Sequence, residues 1–202
     1  MDKSIDQIKQ EFIDIYKANI RREGANELLD YLVNKSDFFT SPASSRFHSN
    51  FDGGLAYHSI MVYKRYKKII QNEYGEDYAN FLSDESIAII ALLHDVCKIG
   101  SYVKDLKNKK IDGQWVQVPF YAHNQSNGLP FGHGEKSVYI ISGFMHLTRE
   151  EAICINWHMG SFDPRAAQGD ELTQAYLQFP NALLIHVADY MATYIDEEII
   201  KS

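Results

Sequence analysis

Apolar positions recur at Ile5, Ile8, Phe12, Ile15 and Tyr16, the three-to-four spacing of an amphipathic helix over about residues 3–20. A shorter helix opens at Ala25 or Asn26, carries Leu28, Leu29, Tyr31 and Leu32, and ends near Ser36. Residues 37–54, DFFTSPASSRFHSNFDGG, mix Ser, Pro, Gly and aromatics and read as loop. A strongly helical segment follows from about Leu55 to Asn72, with His58 near its start. Ser83 or Asp84 caps the next helix, and Glu85 sits in its first turn, where the helix dipole favours an acid. Its centre, Ile87 to Leu93, has no polar face, and the helix is expected to continue through His94-Asp95 to a stop at Gly100.

Residues 102–121 change period. Polar and apolar residues alternate around Asp112-Gly113, a strong hairpin signal. A polar, Gly-rich stretch then leads to helices over about 135–145, 148–158 and 171–177, and a last one from Pro180 to Ile199 or Ile200. The class is all-α with one small β-hairpin insertion. One domain, 1–202, accounts for the chain, with residues 1–36 as a helical arm.

The stretch ALLHDVCKIG, residues 91–100, places an imidazole and a carboxylate at the polar end of an apolar helix. Such groups are costly to bury without a partner, and a divalent metal suits both. On a continuous helix they point about 100° apart, and Lys98 falls on the face of His94, where its ammonium meets an anion at that centre. A capping His94 and a solvated Asp95 are the plainer alternative.

The rest of the chain weighs against that alternative. Of eight histidines, His58, His133 and His158 fall at expected helix ends beside small or loop-forming residues. Asp189 lies in an apolar run that would bury it, so it needs a compensating charge. Five segments thus deliver N or O ligands, a set that suits Mn, Fe, Co, Ni or Zn rather than Ca. Each has a structural alternative: a helix-start contact for His58, a cap for His133, stacking on Trp157 or Phe162 for His158, and a lysine partner for Asp189.

Composition narrows the partners. The net charge is −7, which argues against broad binding to duplex nucleic acid. Two cysteines, Cys97 and Cys154, make no disulfide framework, and a reducing cytoplasm is the simplest setting. The first twelve residues have no apolar signal core, and no run approaches the length of a membrane span.

The order His58, His94-Asp95, Asp189, in the contexts GGLAYHS, ALLHDVCKIG and HVADYMA, resembles the HD-domain superfamily of metal-dependent phosphohydrolases over about residues 50–195. His133 and His158 resemble the extra histidines of its dinuclear branch. The resemblance implies an HD helical bundle with His58, His94, Asp95 and Asp189 on one metal. His133 and His158 would hold a second, bridged by Asp95. Two such ions can share a hydroxide as nucleophile toward phosphorus. It also implies Asp95 and Lys98 as catalytic groups, with Lys98 on the phosphate.

Lys136 and Arg165 are further candidates for phosphate contact. Trp115, on a hairpin carrying Lys104, Lys107, Lys109 and Lys110, is a candidate base-stacking residue. Solvated charges and a hairpin packed through Trp115 are the alternatives. Asp163 reads as a turn residue, and His48 and His123 as loop residues flanking the site. His146 and His186 read as structural, with His186 one turn before Asp189 and able to support it.

The expected reaction is hydrolysis of a phosphate ester or diester in a nucleotide or short oligonucleotide. An HD-type di-iron oxygenase and a non-catalytic nucleotide-binding protein are the competing classes. The oligomeric state is left open.

Overall fold

The computed structural model describes residues 3–126 and 129–197. Helix α1 (Ile5–Asn19) starts at a capping box in which Ser4 and Gln7 satisfy each other's backbone N–H groups. Its stripe of Ile8, Phe12 and Tyr16 is buried, and Phe12 meets Phe38 and Phe39 with ring centroids 5.0 and 5.3 Å apart. Helix α2 (Ala25–Asn34) turns back against the same core. The N-terminal arm, from residue 3 to residue 36, therefore contributes its apolar face to the hydrophobic cluster that also holds the central helices.

Helix α3 (Gly54–Tyr74) and helix α4 (Asp84–Leu93) lie at the centre. Every residue of α4 from Ile87 to Leu93 is buried, because the helix packs against α1, α3 and α6 (Arg149–Asn156). That explains its lack of a polar face. Helix α5 (His133–Ser142) packs on α6 so closely that a Cβ on Gly134 would stand 2.1 Å from the Asn156 carbonyl oxygen. Helix α7 (Glu171–Gln178) leads into α8 (Asn181–Met191), which lies along α3.

Strands β1 (Tyr102–Ile111) and β2 (Gln114–His123) pair antiparallel from Tyr102↔His123 to Ile111↔Gln114. The hairpin is thus two residues longer than its alternation predicts, and His123 is a strand residue rather than a loop residue. Asp112 and Gly113 both take positive φ, 49° and 83°, as a tight turn matched to the strand twist requires. Lys104 and Tyr121, paired across the strands, both reach Asp52 and fasten the base of the hairpin.

Two helix ends differ from the sequence expectation. Helix α4 stops at Leu93 rather than continuing to Gly100: Asp95 has φ −107° and ψ 14°, and a 3₁₀ turn spans Val96–Lys98. Ser137 on α5 makes this break possible, donating to the His94 carbonyl (2.5 Å) and accepting from the Cys97 N–H (3.1 Å). Helix α8 gives way after Met191 to a π-helical turn, Ala192–Asp196, and the expected end at Ile199 or Ile200 lies outside the described residues.

Candidate metal centre

The break after Leu93 turns Asp95 into the middle of a cluster. His58, one turn into α3, and His94, at the end of α4, bring their Nε2 atoms within 3.3 Å of each other. Both face Asp95 Oδ2, at 3.6 and 3.4 Å. Asp189 on α8 closes this side, its Oδ1 3.2 Å from His58 Nε2. The other carboxylate oxygen of Asp95, Oδ1, faces His133 Nε2 at 2.8 Å and His158 Nε2 at 3.5 Å. The close approach of α5 to α6 at Gly134 sets these last two imidazoles side by side, 5.3 Å between centroids.

Outer hydrogen bonds fix which nitrogen of each ring is free. The Nδ1 of His94 lies 2.8 Å from the Ala91 carbonyl, and that of His158 lies 2.7 Å from the Ile155 carbonyl. A carbonyl only accepts, so both Nδ1 atoms carry the proton and both Nε2 atoms present a lone pair. His58 Nδ1 is held the same way by Glu197 Oε1 at 2.7 Å. Three lone pairs thus converge with two carboxylates in a buried space, and His158 Nε2 has no hydrogen-bond partner. A cation is the missing complement, and the nitrogen-and-oxygen donor set fits a divalent transition ion.

The carboxylates also draw protons to His58 and His133, the two imidazoles whose Nε2 atoms they face most closely, a charge that a bound cation would replace. Burial opposes the charged form of Asp95, yet Lys98, His94, His133 and His158 together hold its carboxyl well below the usual range. Asp189 is half-buried, and His58 keeps its carboxyl low despite the desolvation. Burial disfavours protonated His58, but Glu197 and Asp189 outweigh it and push the imidazole up to about 10. For His133, Cys97 and Asp95 outweigh burial and push it up to about 9. His48 is pushed down to about 4 by burial beside His58 and Lys98.

Lys98 reaches Asp95 Oδ2 at 2.6 Å. It does so as the residue three places on in a 3₁₀ turn, not as a residue stacked four beyond His94 on a continuous helix. Its ammonium lines the same cavity, of about 340 Å³, as His58, Asp95, His133 and Asp189. Asp95 offsets the burial of Lys98 and keeps it protonated.

The other candidates lie elsewhere. Arg165 is committed to Asp163 (2.5 Å) and Glu135, and its guanidinium stacks 4.8 Å over Trp157, lining a separate cavity of about 550 Å³. Asp163 caps the 3₁₀ turn that follows it, as a turn residue would. Lys136 lies on α5 and contributes to the wall of neither cavity. Trp115 pairs with Lys110, eight ladder positions from the hairpin base, or about 26 Å at about 3.3 Å per residue. It is 71% exposed and is neither a packing anchor nor part of the cavity. His123 stacks beside Tyr102 at the hairpin base, and His146 is exposed. His48 lines the cavity. His186 lines it as well, but its Nδ1 bonds the His158 carbonyl at 2.8 Å and not Asp189.

Two contributors went unnoticed in the sequence. Glu197, delivered by the π-helical turn, is buried and bridges His58 and the Ser49 hydroxyl. Ser49 lies in the Ser-rich loop before α3, where nothing distinguishes it from its neighbours. Both cysteines are free and buried, and Cys97 Sγ stands 3.3 Å from His133 Nε2.

Helix ends that converge His58, His94-Asp95, His133, His158 and Asp189 are matched by a family description. The HD domain model covers residues 55–194, well over half of the chain. The chain belongs to the HD domain family. HD domains are for the most part metal-dependent phosphohydrolases. No curated protein and no solved structure matches the chain. No helix among the described residues is long and apolar enough to cross a membrane.

Proposed function

We propose that this HD protein is a metal-dependent phosphohydrolase that uses two divalent transition ions and acts on a nucleotide or short oligonucleotide. The observation that carries the reading is the division of Asp95. One oxygen faces His58 and His94, the other faces His133 and His158, and Lys98 stands in the same cavity.

His58, His94 and Asp95 would hold one ion, with Asp189 joining them beside His58, and Asp95, His133 and His158 would hold the other, with Mn, Fe, Co, Ni or Zn all compatible with these donors. When bound, the ions supply Lewis acidity toward the phosphoryl oxygens and a water acidic enough to attack phosphorus. The chain does the rest. Asp95 ties the two halves together, and the bonds from Glu197, Ala91 and Ile155 keep the imidazole lone pairs aimed inward. Lys98, held protonated by Asp95, binds a phosphoryl oxygen as a fixed cation rather than acting as a base. That ammonium supports a phosphate ester over dioxygen as the ligand of the cavity.

The test is metal analysis of protein purified without chelator, paired with a phosphodiesterase and nucleotidase panel under added Mn. Hydrolysis lost in Asp95→Asn and strongly reduced in Lys98→Ala is the expected result. Two redox-active irons with no hydrolysis would replace this reading by the oxygenase. Nucleotide binding without turnover under every metal would replace it by a sensor.

A further inference from the structure

One wall of the cavity is built of aromatic rings that metal chemistry does not require. His186, Tyr190 and Tyr194 follow one another at four-residue spacing along α8 and the turn after it, and line the cavity together with Phe162. Phe162 and Tyr190 are stacked, with centroids 5.5 Å apart and planes at 19°. Tyr190 continues the surface to Tyr194 at 4.9 Å and to His186 at 5.8 Å. The row is seated by its backing. His186 bonds the His158 carbonyl, and its ring lies against Gly160, where a Cβ would stand 2.7 Å from it. Phe162, Tyr190 and Tyr194 nevertheless stay 57%, 45% and 60% exposed. Large rings left open beside a polar centre, on the helix that also carries Asp189, form a surface for a flat ligand group.

Charge limits what that ligand carries. Among the described residues, Lys98 is the only lysine or arginine in the cavity wall. One phosphate group at the metal centre is matched by Lys98. Further phosphates would face uncharged rings and the Asp189 side, and an extended phosphodiester chain would find no row of cations. Resting on the phosphohydrolase reading of the same site, we infer that Phe162, Tyr190 and Tyr194 form a stacking shelf for the base of a nucleoside monophosphate. The base-stacking role that composition suggested for Trp115 thus belongs to α8 and the turn after α6. Stacking a base on an aromatic side chain strengthens binding roughly 5- to 150-fold, so the shelf has a measurable consequence.

The experiment is calorimetric binding to the Mn-loaded protein of the methylene phosphonates of the four common nucleosides and of ribose, which cannot be hydrolysed at the 5′ position. At least one nucleoside phosphonate is expected to bind about tenfold or more tightly than ribose phosphonate. In the Phe162→Leu/Tyr190→Leu double variant, which keeps apolar bulk but removes the rings, that ratio falls toward one. In Tyr190→Trp it is retained. Should the double variant not fold, Tyr190→Leu alone is read the same way. Five ligands that bind alike, five that do not bind, or a preference that survives loss of the rings would overturn the shelf. A nucleoside triphosphate binding more tightly than its monophosphate analogue would overturn the single-phosphate assignment. Preferential binding of a nucleoside phosphonate, with no hydrolysis of the natural ester under any metal, would retain the shelf and reject the phosphohydrolase.

Discussion

The two oxygens of Asp95 face unlike surroundings. On the Oδ2 side, His58 and His94 are fully buried, and Glu197 and the Ala91 carbonyl fix both rings from behind. On the Oδ1 side, His158 is equally buried and fixed by the Ile155 carbonyl, but the His133 side chain is 33% exposed and touches Cys97. The Oδ2 half is the more enclosed, although Asp189 at its edge is 17% exposed and lines the cavity, and the other half opens through His133. Donor atoms held in place before an ion arrives lose less freedom when it binds, so the enclosed half should hold its ion more tightly. On the two-ion reading, the ion of the open half should exchange more readily.

Substitutions separate the halves in order of effect. Asp95→Asn removes the group both share, and metal content and hydrolysis should both fall to the detection limit. Lys98→Ala leaves the histidines and carboxylates in place. Metal content should persist while kcat/KM drops by roughly 10²- to 10³-fold, the usual cost of losing one preorganised charge partner of a transition state. Glu197→Ala strikes only the enclosed half, by freeing the His58 ring. Metal affinity there should weaken about 10- to 100-fold, with partial recovery in Glu197→Gln, whose amide oxygen still accepts from Nδ1. At the small end, Trp115→Ala should change neither metal content nor turnover, since the residue lies far out on the hairpin. Activity assays and metal titrations read all four.

Most residues of the candidate centre were legible because they are anomalies in their own segments. His94-Asp95 ends an apolar helix, Asp189 interrupts an apolar run, and His58 and His133 follow glycines. The helical class and the hairpin were legible from periodicity and from Asp112-Gly113. What escaped depended on distant partners. The end of α4 is stabilised by Ser137, 43 residues from the His94 carbonyl it meets. Glu197 follows Asp196 in a short acidic run that reads as a solvated tail, and only the π-helical turn carries it to His58. Trp115 is the opposite case. A basic, aromatic hairpin is conspicuous in composition, but strand register sets Trp115 about 26 Å along the strands from the hairpin base and it does not line the cavity, while the aromatic wall of α8 reads in sequence as ordinary helix.

The division of Asp95 is tested most directly by counting ions. Protein purified without chelator and loaded with Mn should contain about two ions per chain, the number two-metal sites of this kind require. His133→Ala, which removes a ligand from the open half alone, should retain one ion on the enclosed half. A single ion in the unmodified protein, or the loss of all metal in His133→Ala, would contradict the two-sided centre.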